Sequence, residues 1–296
     1  MCPKTVRLQI NMKGINQIGK SDKSQHQVYH SGWMLIEFFA LTIIITWSIL
    51  IPALSLVPED HQIYFIIPAA FGPFVSAITV IRINMGRTGL QHWLRGIFRL
   101  RMPVVLYLSG AFFLPLGVGA LHYLLYRIFG GEPDFSNAIP WFLYLAYLLP
   151  TALLSGGNEE PGWRGFALPA LLRQFHPIIA SLILGIIHAI WHLPLMDHYD
   201  TTIGWYMFNL IPLTFILNWF YLKSRYTVIP VMLLHAGVNV IGSFFPTPLD
   251  VLGSLGNYMF LRGSVYWVIS IILLIQTKGR LGYDTSAKNN PSSTEV

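Results

Sequence analysis

The run IPWFLYLAYLLPTALLSGGNEEPGWRGFAL, Ile139 to Leu168, sets a long apolar stretch directly against two adjacent carboxylates, Glu159 and Glu160. Arg164 follows four residues after the second. The apolar part, Ile139 to about Gly157, is long enough to cross a bilayer at roughly 20 residues per span. In such surroundings three ionisable groups are costly and need partners. The rest of the chain is built in the same way. It has 296 residues, 54% hydrophobic and 11% charged, with a mean hydropathy of +0.54. A soluble domain carries about 25% charged residues. The composition therefore excludes an ordinary soluble enzyme and predicts an all-α polytopic membrane bundle.

Outward from that run, apolar stretches of spanning length occur at Trp33–Val57, Ile63–Ile83 and Pro103–Tyr126 before it. After it come His176–Leu195, Ile203–Leu222, Val228–Phe245 and Tyr258–Gln276, which makes about eight transmembrane helices. Gly165–Phe175 reads as a short interfacial helix, and the Arg87–Arg101 stretch as a basic interfacial loop facing anionic lipid. The expected organisation is a basic cytoplasmic segment over 1–32, a bundle over 33–276 and a polar cytoplasmic tail over 277–296. Eight spans put both termini on one side. All nineteen Lys and Arg except Arg127 and Arg262 then share that side, which the positive-inside rule makes cytoplasmic. The net charge of +6 thus reports topology, and no nucleic-acid partner is expected. Cys2 is the single cysteine, so an intrachain disulfide is excluded. No leader pattern or internal repeat is visible.

Inside the spans, polar residues fall into three clusters: Glu159/Glu160/Arg164, His188/His192 in GIIHAIWHLP, and His235/Asn239 in LLHAGVN. Each His pair or His–Asn pair is spaced i, i+4 and so shares one helix face, which must point into the bundle because lipid offers no hydrogen bonds. Taken singly, each has a structural reading as a helix–helix contact or local ion pair. Together they bring carboxylate, imidazole and carboxamide to one place, the groups a hydrolase needs. A partly dry carboxylate is a strong base toward water. A neighbouring imidazole can hold that water, and an imidazole with a carboxamide can stabilise an oxyanion. Zinc is the rival use of the same atoms, with Glu159, His192 and His235 as candidate ligands. The HExxH arrangement is absent, because His188 to His192 reads HAIWH. A proton-coupled carrier and a non-catalytic scaffold are the alternatives from other functional classes. Glu37 reads as a snorkelling or locally paired residue, and His92, His122 and His198 as surface residues.

EEPGWRG, HAIWHLP and HAGVN, in this order over about Leu145 to Phe245, resemble the three signature segments of the CPBP family. That family comprises intramembrane CAAX prenyl endopeptidases and bacteriocin-processing or self-immunity enzymes. The resemblance implies an intramembrane endopeptidase in a lipid bilayer, hydrolysing a prenylated or bacteriocin-like peptide; the short basic termini and lack of a periplasmic domain fit a prokaryotic plasma-membrane location. It places Glu159 on the water-activating position, Glu160 and Arg164 on the supporting pair, and His192, His235 and Asn239 on the remaining catalytic positions. His188 stands where the family has an aromatic residue, and is expected to stack or to support the site from behind. One geometric tension accompanies this reading. With Glu159 at the end of the fourth span, His192 would lie about 24 Å and His235 about 15 Å deeper along straight helices. A kink at Pro150 or Gly156–Gly157, or spans that start later and tilt, is needed to bring them together.

Overall fold

The computed structural model describes residues 32–100, 102–132, 134–136, 138–198, 200–245 and 255–283. The basic segment before Gly32, Cys2, Arg101, Asp250 and the tail beyond Tyr283 lie outside them. Among the described residues all regular structure is helical. The helices are α1 (Gly32–Leu56), α2 (Ile63–Ala70), α3 (Gly72–Ile97), α4 (Val104–Ile128), α5 (Tyr144–Leu154), α6 (Leu168–Gln174), α7 (Pro177–Trp191), α8 (Ile203–Lys223), α9 (Ile229–Val240) and α10 (Leu255–Gln276).

Among the described residues five helical stretches, against the eight expected, are long and apolar enough to cross a membrane: α1, α2 with α3, α4, α8 and α10. The helices bearing the imidazoles, α7 and α9, are shorter apolar helices. Large apolar side chains cover the outside. Ile44, Ile51, Leu56, Phe142, Leu153 and Ile275 are all at least half exposed, a surface that water would not tolerate as a continuous patch and lipid would. The polar side chains of the three clusters point inward instead. This is a polytopic all-helical membrane protein.

The basic stretch after Ile83 departs from the expected loop. Gly86, with φ +70°, breaks the helix, and the chain then continues helical to Ile97. The reason is amphipathicity: Trp93 and Ile97, four apart, are buried, and the Trp93 indole donates to the Gly165 carbonyl at 2.9 Å. The arginines occupy the other side of this helix, so charge spacing suggested a loop where a one-sided helix stands.

The stretch after Glu160 is a second correction. Gly165, Phe166, Ala167, Leu168, Leu171 and Leu172 are buried, so the first part of Gly165–Phe175 is packed in the interior, while Gln174 and Phe175 at its end are exposed. Trp141 to Gln174 forms one broken helical path. It runs through α5, a 3-10 turn at Gly157–Glu159, one α turn at Glu160–Gly162 and a π turn at Trp163–Ala167 into α6. This removes the depth conflict. Measured back from Gln174, Glu159 stands about 22 Å along the path, and His192 stands about the same distance from Pro177 along α7.

His122 is a third correction. It is buried in α4, with its ring edge-on to Tyr258 at 4.9 Å. His92 and His198 are exposed as expected. Glu37, also exposed, accepts a hydrogen bond from Asn84 Nδ2 at 2.9 Å, so it pairs across helices α1 and α3.

Candidate active site

The site is organised by the break at Gly156. The helix α5 passes Pro150 without interruption and stops at Leu154, where Ser155 turns extended and Gly156 takes φ +114°. Only glycine enters that region without strain. The Gly156 N–H donates to Asn158 Oδ1 at 3.0 Å, and Gly156 O accepts from the Glu159 N–H at 3.1 Å. Space imposes a second requirement next door. A Cβ on Gly157 would fall 2.4 Å from the Ala152 carbonyl oxygen and 2.8 Å from that of Met232 in α9. Two glycines therefore let this turn lie directly on α9, which sets the carboxylates beside His235.

The two carboxylates diverge from there. Glu160 and Arg164 are fully buried and form an ion pair, with Arg164 Nη1 donating to Glu160 Oε1 at 2.9 Å. His235 Nδ1 bonds the same oxygen at 2.6 Å. Arg164 Nε donates to Asn218 Oδ1 at 3.1 Å, and Asn218 Nδ2 donates to Ser181 Oγ at 2.9 Å. Glu160 is thus the hub of a chain linking the broken segment to α7, α8 and α9. Charges removed from water need such dense pairing, since desolvation otherwise outweighs their attraction.

Glu159 has a different set of neighbours. His188 Nε2 donates to Glu159 Oε2 at 2.9 Å. The His188 ring also lies against Trp163 at 4.8 Å and His192 at 5.1 Å, so it both stacks and hydrogen-bonds. His192 Nδ1 donates to the His188 carbonyl at 2.9 Å, closing the end of α7 and leaving Nε2 as its free lone pair. The end of α7 is tied to α1 by Trp191 Nε1 donating to Thr46 Oγ1 at 2.8 Å and Trp47 Nε1 donating to the Trp191 carbonyl at 3.0 Å.

A cavity of about 470 Å³ opens beside these groups, lined among others by Gly156, Glu159, His192, His235 and Asn239. All four residues that the sequence suggested for chemistry therefore face one space, although they come from three segments. Asn239 is the exposed member, and Gly156 gives it room: a Cβ there would fall 2.5 Å from Asn239 Nδ2 and 3.5 Å from His235 Nε2. Glu160, Arg164 and His188 stand behind that lining.

The groups able to share one metal ion differ from the set read in sequence. Glu159, His188 and His192 hold their ligand atoms within 4.8 Å of one another, while His235 is turned to Glu160. Two imidazoles and a carboxylate make a donor set suited to catalytic zinc. An ion there would have to displace the His188–Glu159 hydrogen bond.

Residues 140–241, which hold every group named above from Glu159 to Asn239, match the family model of the type II CAAX prenyl endopeptidases, Rce1-like. The matched segment, about a third of the chain, is similar to the Rce1-like proteases. It is also 26% identical over 221 residues to CAAX prenyl protease 2 of Methanococcus maripaludis, an alignment covering 69% of this chain and 82% of that protein. The Rce1-like core is thus a membrane-embedded hydrolase acting on peptide bonds.

Further polar side chains line the same cavity that the sequence did not single out, among them Thr201, Tyr206, Asn209 and Arg262. A signal existed for two of them. Asn209 is a carboxamide inside an apolar span, and Arg262 a lone cation inside another, counted in the sequence with the loop charges.

Proposed function

We propose that the Rce1-like core hydrolyses a peptide bond near the C-terminus of a membrane-associated peptide, through a water activated by Glu159. The observation that carries this reading is the single cavity lined by Glu159, His192, His235 and Asn239. Water held between Glu159 and the His192 Nε2 lone pair loses a proton to the Glu159 carboxylate as its oxygen adds to the scissile carbonyl carbon. The resulting oxyanion meets Asn239 Nδ2 and His235 Nε2. Donation from that nitrogen requires the imidazolium, whose charge the Glu160 carboxylate at Nδ1 balances. Glu159 then passes its proton to the leaving amine as the C–N bond breaks, giving an acid and an amine. General-base action of this kind contributes about 10²- to 10⁴-fold, and a preorganised oxyanion donor about 10²- to 10³-fold.

A second mechanistic reading rests on the Glu159, His188 and His192 donor group. A divalent ion held by those three residues would supply an acidified water. Activity after dialysis against chelator separates the two: it persists with glutamate-activated water and returns only with added metal in the other case.

The substrate we propose is a prenylated protein ending in a CAAX motif, with a bacteriocin-like membrane peptide as the alternative within the same family resemblance. Purified protein in liposomes, given a prenylated CAAX peptide, should release the C-terminal fragment detected by mass spectrometry. Full activity of Glu159→Gln would overturn the assignment. We further propose a prokaryotic plasma-membrane location with both termini cytoplasmic. Cys2, the single thiol in the chain, should then resist an impermeant maleimide in intact cells and react after permeabilisation.

A further inference from the structure

One cation in the cavity has no part in the chemistry at Glu159. Arg262 projects from α10 and is the single Lys or Arg among the described residues lining that space. Its Nε donates to the Tyr266 hydroxyl at 3.1 Å, and the Tyr266 ring lies 5.7 Å from its Cζ. Among the described residues, no carboxylate pairs with it. A guanidinium stays charged in any surroundings, and an intramembrane cation without a counter-charge marks a ligand site.

Two further groups in the same lining are incomplete. Asn209 spends both amide hydrogens on the carbonyls of Trp205 and Met259, each at 2.9 Å, which fixes its orientation. Its Oδ1 is buried without a partner, and so is Thr201 Oγ1. Buried polar atoms left open in this way cost free energy unless a ligand completes them.

The three groups together select a chemistry. A guanidinium and a hydroxyl donate to an anion, and a planar carboxylate matches the guanidinium fork. Asn209 Oδ1 requires a donor, which a phosphate ester does not supply and a peptide N–H does. The complementary ligand is the end of a peptide chain: a free α-carboxylate with its own amide N–H beside it. The Glu159/Glu160/Arg164 group offers no comparable site, because Arg164 is paired with Glu160 and Asn218 and stands outside the cavity lining.

We propose that Arg262, with Thr201 and Asn209, binds the free C-terminal carboxylate of the peptide whose upstream bond is cut at Glu159. This rests on the hydrolytic reading above and deepens it. Arg262 becomes a specificity-determining residue that measures the distance from the scissile bond to the chain end.

The test uses two peptides of identical sequence, one ending in a free acid and one in an amide. Wild-type protein should cleave the acid with kcat/KM about tenfold or more above the amide, the effect of one lost charge-assisted contact, and mainly through KM. In Arg262→Gln the acid should fall to the amide's value while the amide is unchanged, and Arg262→Lys should recover part of the difference. Equal cleavage of acid and amide by the wild type would overturn the proposal, and this comparison needs no variant to fold. An equal fall of both substrates in Arg262→Gln would also overturn it. Binding of the same peptides to Glu159→Gln protein separates this site from the hydrolysis. Tighter binding of the acid without cleavage in the wild type would keep the carboxylate site and remove the peptidase mechanism. Equal binding alongside wild-type cleavage would do the reverse.

Discussion

Glu159 and Glu160 are neighbours in sequence, of one residue type, and both buried, yet the fold gives them opposite surroundings. Glu160 is fixed by two donors: Arg164 and His235 share its Oε1, and Asn218 and Ser181 hold Arg164 behind it. Glu159 faces a cavity with one imidazole bonded to it. A carboxylate fixed by a cation in the core is a structural element, whereas one facing open space beside imidazoles can accept and return a proton. The difference is produced by a turn. Gly156 and Gly157 let the chain reverse onto α9, so that consecutive residues point to different sides of it.

Substitutions can break that contrast, and the largest effect belongs to the cavity side. Glu159→Gln should lower peptide cleavage by about 10²- to 10⁴-fold with an unchanged unfolding temperature in detergent. Glu160→Gln should do its damage to stability. It leaves Arg164 buried without its carboxylate, a loss of about 3–5 kcal/mol for a broken buried pair, read as an early thermal transition. Gly156→Ala comes next, because the new methyl presses on Asn239 in a backbone region that costs a side chain about 1–3 kcal/mol. Its cleavage rate should fall with both carboxylates intact. The smallest effect is expected at His188→Phe. The stack on Trp163 survives and the bond to Glu159 does not, so activity should drop about tenfold. Unchanged activity there would make His188 a packing residue only.

Much of this arrangement could be read from the chain alone. Apolar run lengths located the helices but overstated how many are long enough to span, since those at Tyr144–Leu154, Pro177–Trp191 and Ile229–Val240 are shorter. The i, i+4 spacing placed His188 with His192 and His235 with Asn239. The same spacing anticipated the Glu160–Arg164 pair. What escaped was set by tertiary packing. A helix break inside a core and a helix end at a membrane surface both use glycine, so SGGNEE read as an end when it is an interior turn. Arg87 and Arg95 suggested a loop because charge was weighed above the Trp93–Ile97 spacing that buries one side of α3. His122 looked like a span-end residue because its partner, Tyr258, lies far along the chain. Arg262 was counted as a topological charge, since only the packing of α8 on α10 turns it toward the cavity.

The central claim, that one of two adjacent carboxylates acts on water while the other holds the bundle together, is tested most directly by a paired measurement. Cleavage rate and thermal stability of Glu159→Gln and Glu160→Gln are determined side by side in the same detergent. The account predicts a stable, inactive Glu159→Gln and a destabilised Glu160→Gln. Retained cleavage in Glu159→Gln, or an unaltered unfolding temperature in Glu160→Gln, would contradict it.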